Sequence, residues 1–117
     1  EMARLGVALG GRKDSFTGLA GVGDLIVTCC SMHSRNRRCG ILIGQGKPVD
    51  EAVKEIGAVV EGYYAANNAR TLAQKAGVEM PIAQAAYEVL YEGRDVHAVI
   101  TDLMQRAKRS ERDESYL

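Results

Sequence analysis

Residues 21–39 concentrate the side chains that do chemistry. Ser34-Arg35-Asn36-Arg37-Arg38 reads as a helix start with Ser34 as its cap. In that arrangement the free N–H groups of the first turn point outward beside the Ser34 hydroxyl. The helix dipole adds partial positive charge at the same place. Arg35 brings a planar fork suited to phosphate or carboxylate, and Asn36 brings an amide donor. These are the parts of a phosphate seat. A solvated basic first turn is spelled the same way. A nucleic-acid patch is disfavoured, because no aromatic stacking partner lies nearby and no basic excess stands behind it.

Gly21-Val22-Gly23-Asp24 contains a Gly-x-Gly, but no third glycine follows and no strand of a βαβ unit precedes it. It reads as a tight turn that needs permissive backbone. Asp24 can cap the next helix. It can also accept a hydrogen bond from a substrate hydroxyl or orient a catalytic amine. Thr28 lies four residues on and shares a helical face with it. Val59-Val60-Glu61-Gly62 is a second candidate. Glu61 suits a helix N-terminus as an ordinary first-turn acid, and equally a ribose hydroxyl or a ligand amide.

Cys29, Cys30, His33 and Cys39 match no common zinc spacing, since two are adjacent and no CxxC occurs. The cysteines read as buried free thiols. His97 reads as a surface residue. Tyr63 beside Tyr64, and Tyr87 one turn before Tyr91, read as helix packing and rim positions.

The elements that must position these residues are helical. Alanine, leucine, glutamate, lysine and arginine are frequent, while proline, phenylalanine and tryptophan are scarce. The first helix should end at Gly10-Gly11. Asp14 and Ser15 should cap a short helix over residues 16–19. The apolar run at residues 25–30 reads as a buried helix, although a buried strand fits the same pattern. Ser34 starts a helix over residues 35–44, and Gly40 weakens its middle. Pro48 and Asp50 start another, with Ala52, Val53 and Ile56 on one face.

A helix over residues 61–76 carries Ala65, Ala69, Leu72, Ala73 and Ala76 as its apolar positions, stopped by Gly77. Pro81 starts a helix with Ile82, Ala85, Ala86, Val89 and Leu90 on one side, stopped by Gly93. Asp95 caps the last, with Val96, Val99, Ile100, Leu103 and Ala107 inward. Residues 108–117 form a charged tail expected to fray. The expected fold is all-α, a compact bundle of six to eight short helices.

At 117 residues and 12.6 kDa the chain is one domain's worth. Its 46% hydrophobic and 26% charged residues suit a packed core. Fifteen basic and fifteen acidic residues cancel, which disfavours a general nucleic-acid binder and a polybasic membrane-surface protein. No apolar run approaches the ~20 residues that span a bilayer, so no membrane insertion is expected. Three cysteines, two of them adjacent, suit a reducing cytosol. The opening Glu1-Met2-Ala3-Arg4-Leu5 is already helical in character and lacks a capping residue. It reads as part of a longer protein, cut inside a helix.

Four motifs in order carry a resemblance over nearly the whole chain. They are Gly18-Leu19-Ala20-Gly21-Val22-Gly23-Asp24-Leu25, Ser34-Arg35-Asn36-Arg37-Arg38, Val59-Val60-Glu61-Gly62 and Val78-Glu79-Met80-Pro81-Ile82. Together they resemble the C-terminal domain of bacterial NAD(P)-dependent glycerol-3-phosphate dehydrogenase. The resemblance implies a helical substrate-binding domain over residues 1–117, of the 6-phosphogluconate dehydrogenase C-terminal type. It follows a Rossmann domain that carries most of the NAD or NADP site.

Carried over residue by residue, Asp24 is similar to the family's active-site aspartate, and Thr28 to a supporting threonine. Ser34, Arg35 and Asn36 correspond to the glycerol-phosphate contacts, and Arg35 also reaches the cofactor phosphates. Val59 and Glu61 correspond to further cofactor contacts. The family's catalytic lysine has no counterpart here, because Lys13 and Lys47 do not match its position. The implied reaction is reversible reduction of dihydroxyacetone phosphate to sn-glycerol 3-phosphate, for phospholipid synthesis in the cytoplasm, by a homodimer. This chain by itself is expected to be inactive. A non-catalytic helical dimerisation or docking module is the competing reading.

Overall fold

The computed structural model describes residues 1–106. Eight α-helices follow one another among them: α1 (Met2–Ala8), α2 (Lys13–Thr17), α3 (Asp24–Cys30), α4 (Arg35–Gly44), α5 (Val49–Ile56), α6 (Glu61–Ala76), α7 (Pro81–Tyr91) and α8 (Val96–Gln105). A π-helical turn, Leu19–Gly23, joins α2 to α3. No strand occurs among the described residues. The all-α expectation holds. The expected inward Ala107 and the charged tail lie outside the described residues.

Local signals explain most of the boundaries. Ser34 Oγ accepts the Arg37 N–H at 3.2 Å and caps α4. Asp95 Oδ2 accepts the Ala98 N–H at 3.0 Å and caps α8. Gly57 and Gly77 close α5 and α6 in left-handed backbone. Pro81 opens α7, where its missing N–H costs nothing. The next two N–H groups of α7 are taken from far away. Glu1 accepts Ile82 N–H at 2.5 Å and Ala83 N–H at 3.1 Å. That carboxylate clips the beginning of α1 onto the positive end of α7.

The core sits where α4, α5 and the start of α6 meet. Cys39, Ala52 and Val60 are buried there, flanked by Leu42, Ile43, Val53, Ile56 and Tyr63. Ala52 is fully enclosed, at 0% exposure. A second layer joins α6 to α7 through an aromatic ladder. Tyr63 stacks on Tyr91 with centroids 4.7 Å apart, and Tyr91 stacks on Tyr87 at 5.1 Å. Arg70 covers the far face of the ladder, 4.3 Å from the Tyr87 centroid. The Tyr91 hydroxyl donates to the Tyr63 carbonyl at 2.5 Å. The tyrosine pairs are packing elements, as their spacing suggested, and His97 is exposed.

Several expectations need correction. The second helix runs over Lys13–Thr17 with Arg12 at its cap position, and neither Asp14 nor Ser15 caps it with a side chain. The glycine-rich turn is a π-helical turn, and Gly21 is required there for space. A Cβ on it would lie 2.2 Å from the Phe16 carbonyl oxygen. The run at residues 25–30 is helical but not buried, with Ile26 58% and Val27 70% exposed. On α6 the buried positions are Ala66 and Ala73, whereas Ala65 and Leu72 face outward. Ile82, Ala86 and Ile100 are also exposed. They rim an apolar cavity of about 360 Å³ instead of filling a core, beside Ala85, Val89 and Leu103. Of the three cysteines, Cys39 is buried and Cys29 and Cys30 are exposed. No single helix among the described residues is long and apolar enough to cross a membrane.

Candidate functional site

The α4 N-terminus is the best-defined polar feature. Its first four N–H groups cannot bond within the helix. Ser34 Oγ takes that of Arg37 and the Ser34 carbonyl takes that of Arg38, at 3.1 Å. The N–H groups of Arg35 and Asn36 therefore remain as outward donors with no acceptor among the described residues. The Arg35 side chain is exposed beside them. Two backbone donors, a hydroxyl and an exposed guanidinium at a helix start are groups that can bind an anion.

Asn36 is fixed by a contact that no sequence motif announces. Its Oδ1 accepts the Gly62 N–H at 2.8 Å, across 26 residues. A backbone N–H can only donate, so the oxygen must face Gly62 and the NH₂ must face away. That NH₂ has no hydrogen-bond partner among the described residues. Gly62 also has to lack a side chain. A Cβ there would lie 2.9 Å from both Asn36 Cγ and Oδ1. The bond sets the α4 start against the first turn of α6, where Val59 and Glu61 are exposed. The expected phosphate residues and the expected cofactor residues thus meet at one joint.

Arg37, assigned no role from sequence, acts as a strap. One guanidinium nitrogen donates to the Cys30 carbonyl at 3.4 Å and approaches Met32 Sδ at 2.9 Å. It ties the C-terminal end of α3 to the start of α4. Asp24 is the first residue of α3 and makes no side-chain cap, so it does not serve as the helix cap. Asp24 and Thr28 stand one turn apart on the same helix, both exposed. No hydrogen bond among the described residues joins them to Ser34, Arg35 or Asn36. Burial raises the Cys39 thiol above its ordinary value. That thiol lies behind the site in the core. No group of three or more His, Cys, Asp or Glu among the described residues converges on a metal position.

Residues 1–101 match the family described as NAD-dependent glycerol-3-phosphate dehydrogenase C-terminus. The chain is 55% identical over 111 residues to glycerol-3-phosphate dehydrogenase [NAD(P)+] of Clostridium perfringens strain SM101, covering 95% of this chain and 34% of that protein. It is 53% identical to the protein of the same description from Fusobacterium nucleatum, covering 95% of this chain and 33% of that one. The crystal structure of glycerol-3-phosphate dehydrogenase from Coxiella burnetii superposes with a TM-score of 0.86 at 40% identity. That superposition covers 90% of this chain and 32% of the other. The chain spans about a third of the length of the relatives it matches.

Proposed function

The chain belongs to the NAD-dependent glycerol-3-phosphate dehydrogenase C-terminal family, and from that premise we propose that it forms the substrate-binding part of such an enzyme. The reaction is reversible reduction of dihydroxyacetone phosphate to sn-glycerol 3-phosphate, serving phospholipid synthesis in the cytoplasm. The observation that carries this reading is the α4 start. Two N–H groups without a protein acceptor among the described residues and an exposed Arg35 stand at a helix start whose Asn36 is bonded to Gly62, next to the turn that bears Val59 and Glu61. Catalytic Asp24 and supporting Thr28, substrate-binding Asp24, Ser34, Arg35 and Asn36, and cofactor-binding Arg35, Val59 and Glu61 are the assigned residues.

The chemistry of the second group suits one edge of a dinucleotide. The exposed Glu61 carboxylate can accept ribose hydroxyls, exposed Val59 offers apolar surface, and Arg35 can pair with a phosphate. NAD or NADP, when bound, supplies or takes up the hydride. The chain's own residues bind and orient. Arg35, the α4 donors and Asn36 hold the phosphate at a distance from the reacting carbon. Energy from that remote contact then serves to position the carbonyl. Asp24 accepts a hydrogen bond near the reacting oxygen and orders the amine of a lysine that the resemblance places upstream of Glu1. Thr28 supports that carboxylate from one turn away.

A homodimer is part of the same proposal. The exposed apolar side chains around the π-helical turn and α3, with Leu19 at 91% exposure, are surface that the rest of the longer protein or a second copy would cover. The full-length protein should oxidise NADH or NADPH with dihydroxyacetone phosphate and not with dihydroxyacetone plus inorganic phosphate. Equal rates with the two mixtures would remove the phosphate seat. Absence of turnover in a folded full-length protein would leave the docking-module reading. Sedimentation of the same sample reads the dimer.

A further inference from the structure

Gly62 sits between the two ligand sides of the proposed site without belonging to either. Its N–H holds Asn36 Oδ1 at 2.8 Å, and its Cα leaves the room that Asn36 occupies. The preceding residue is Glu61 and the one before that is Val60, buried in the core. One residue further along the chain, the Tyr63 carbonyl accepts the Tyr91 hydroxyl at 2.5 Å. The peptide at Gly62 is therefore held on both sides. Glu61 shares its peptide bond with the Gly62 N–H, and that N–H is the group that orients the Asn36 amide. A hydrogen bond of this kind keeps its strength only within a narrow range of distance and angle.

We propose that Gly62 is a positioning residue that couples the two sides of the site: it aims the Asn36 NH₂ at the bound phosphate, and it makes that aim depend on what Glu61 holds. The inference rests on the function proposed above. Glu61 engaged by a cofactor ribose steadies the first turn of α6, and Asn36 is then presented in one orientation. Coupling of this type is reciprocal, so glycerol 3-phosphate must tighten the cofactor by the same factor. The role is one of positioning. Gly62 has no side chain to touch either ligand, and its N–H is spent on Asn36.

The test measures sn-glycerol 3-phosphate binding by calorimetry to the full-length protein, with and without the cofactor. Wild type is compared with Gly62→Ala, Asn36→Ala and the double variant. In wild type the cofactor should tighten glycerol 3-phosphate by about fivefold or more. Gly62→Ala should weaken glycerol 3-phosphate by roughly tenfold and bring the coupling factor near one. The double variant should bind no worse than Asn36→Ala alone, because both changes remove the same contact. A purely structural role would give additive losses with the coupling factor intact, and that result overturns the inference.

Alanine is a better helix former than glycine, so loss of the fold is not expected. Should Gly62→Ala still fail to fold, Asn36→Asp takes its place. The carboxylate keeps an acceptor for Gly62 but has no donor for phosphate, and unchanged binding of glycerol 3-phosphate by that variant overturns the inference. A wild-type protein that binds the cofactor but not glycerol 3-phosphate overturns the proposed function instead.

Discussion

Ser34 and Arg37 are joined by one hydrogen bond, and Arg37 makes a second bond that serves a different end. The Arg37 N–H bonds to Ser34 Oγ at 3.2 Å, while the Arg37 side chain reaches back to the Cys30 carbonyl at 3.4 Å. The first caps α4; the second ties α3 to it. Ser34→Ala removes the cap acceptor and should cost about 1 kcal/mol of stability, with Ser34→Gly costing only a few tenths. Urea denaturation of the three proteins checks the order. An alanine variant as stable as wild type would mean that water replaces the hydroxyl without loss.

Arg35 is exposed at the same helix start and engages no protein acceptor among the described residues. Its removal should therefore leave the fold almost untouched. In the full-length protein Arg35→Ala should lower kcat/KM for dihydroxyacetone phosphate by roughly tenfold or more. Arg35→Lys should recover only part of the loss, because a point charge replaces a bidentate fork. Steady-state kinetics beside a thermal melt separates the two effects. Unchanged kinetics in the alanine variant would remove Arg35 from the site.

Much of the fold was legible because its signals are local. Ser34, Asp95, Gly77 and Pro81 act within a turn of where they stand. Residues 25–30 are an apolar run whose burial is inferred from composition, and there the inference fails. Helical spacing says which residues share a face; it does not say that anything covers that face. Ile82 and Ile100 show the same thing from the other side, as apolar residues lining an open cavity.

The proposed site was half legible for the same reason. Ser34, Arg35 and Asn36 are contiguous, and a cap followed by a fork has a recognisable spelling. Gly62 lies inside the Val59-Val60-Glu61-Gly62 motif, yet its proposed role depends on a contact 26 residues away. Glu1 is the extreme case. A first-residue carboxylate closing the start of α7 across 81 positions leaves no trace in either local pattern.

Arg94 bridges Glu88 on α7 and Asp102 on α8. It donates to Glu88 Oε2 at 2.8 Å and pairs with Asp102. The Arg94 bond, helped by Gln84, holds the Glu88 carboxyl below its ordinary value. A carboxyl lowered in the folded state stabilises the fold above its unfolded pKa. That contribution is lost as pH falls from the ordinary glutamate range down through the lowered folded value. Arg94 and Asp102 are exposed and Glu88 is half-buried, so the effect should be small and should shrink with salt. Glu88→Gln should flatten the acid limb of a stability–pH curve at low ionic strength. A variant whose curve overlays wild type would show that the bridge contributes nothing.

The three thiols should separate by reactivity. Cys29 and Cys30 are exposed at the end of α3, whereas Cys39 is 3% exposed in the core and burial raises its pKa. Thiolate is the reactive form, so burial slows Cys39 both by access and by ionisation. An aromatic disulfide reagent should titrate two thiols promptly in the native protein. The third should react about a hundredfold more slowly or worse, since it waits for an opening of the α4–α5 core. Denaturant should bring all three to one rate. Cys39→Ala should abolish only the slow phase. Three prompt thiols in the native protein would mean that the core around Cys39, Ala52 and Val60 is not closed.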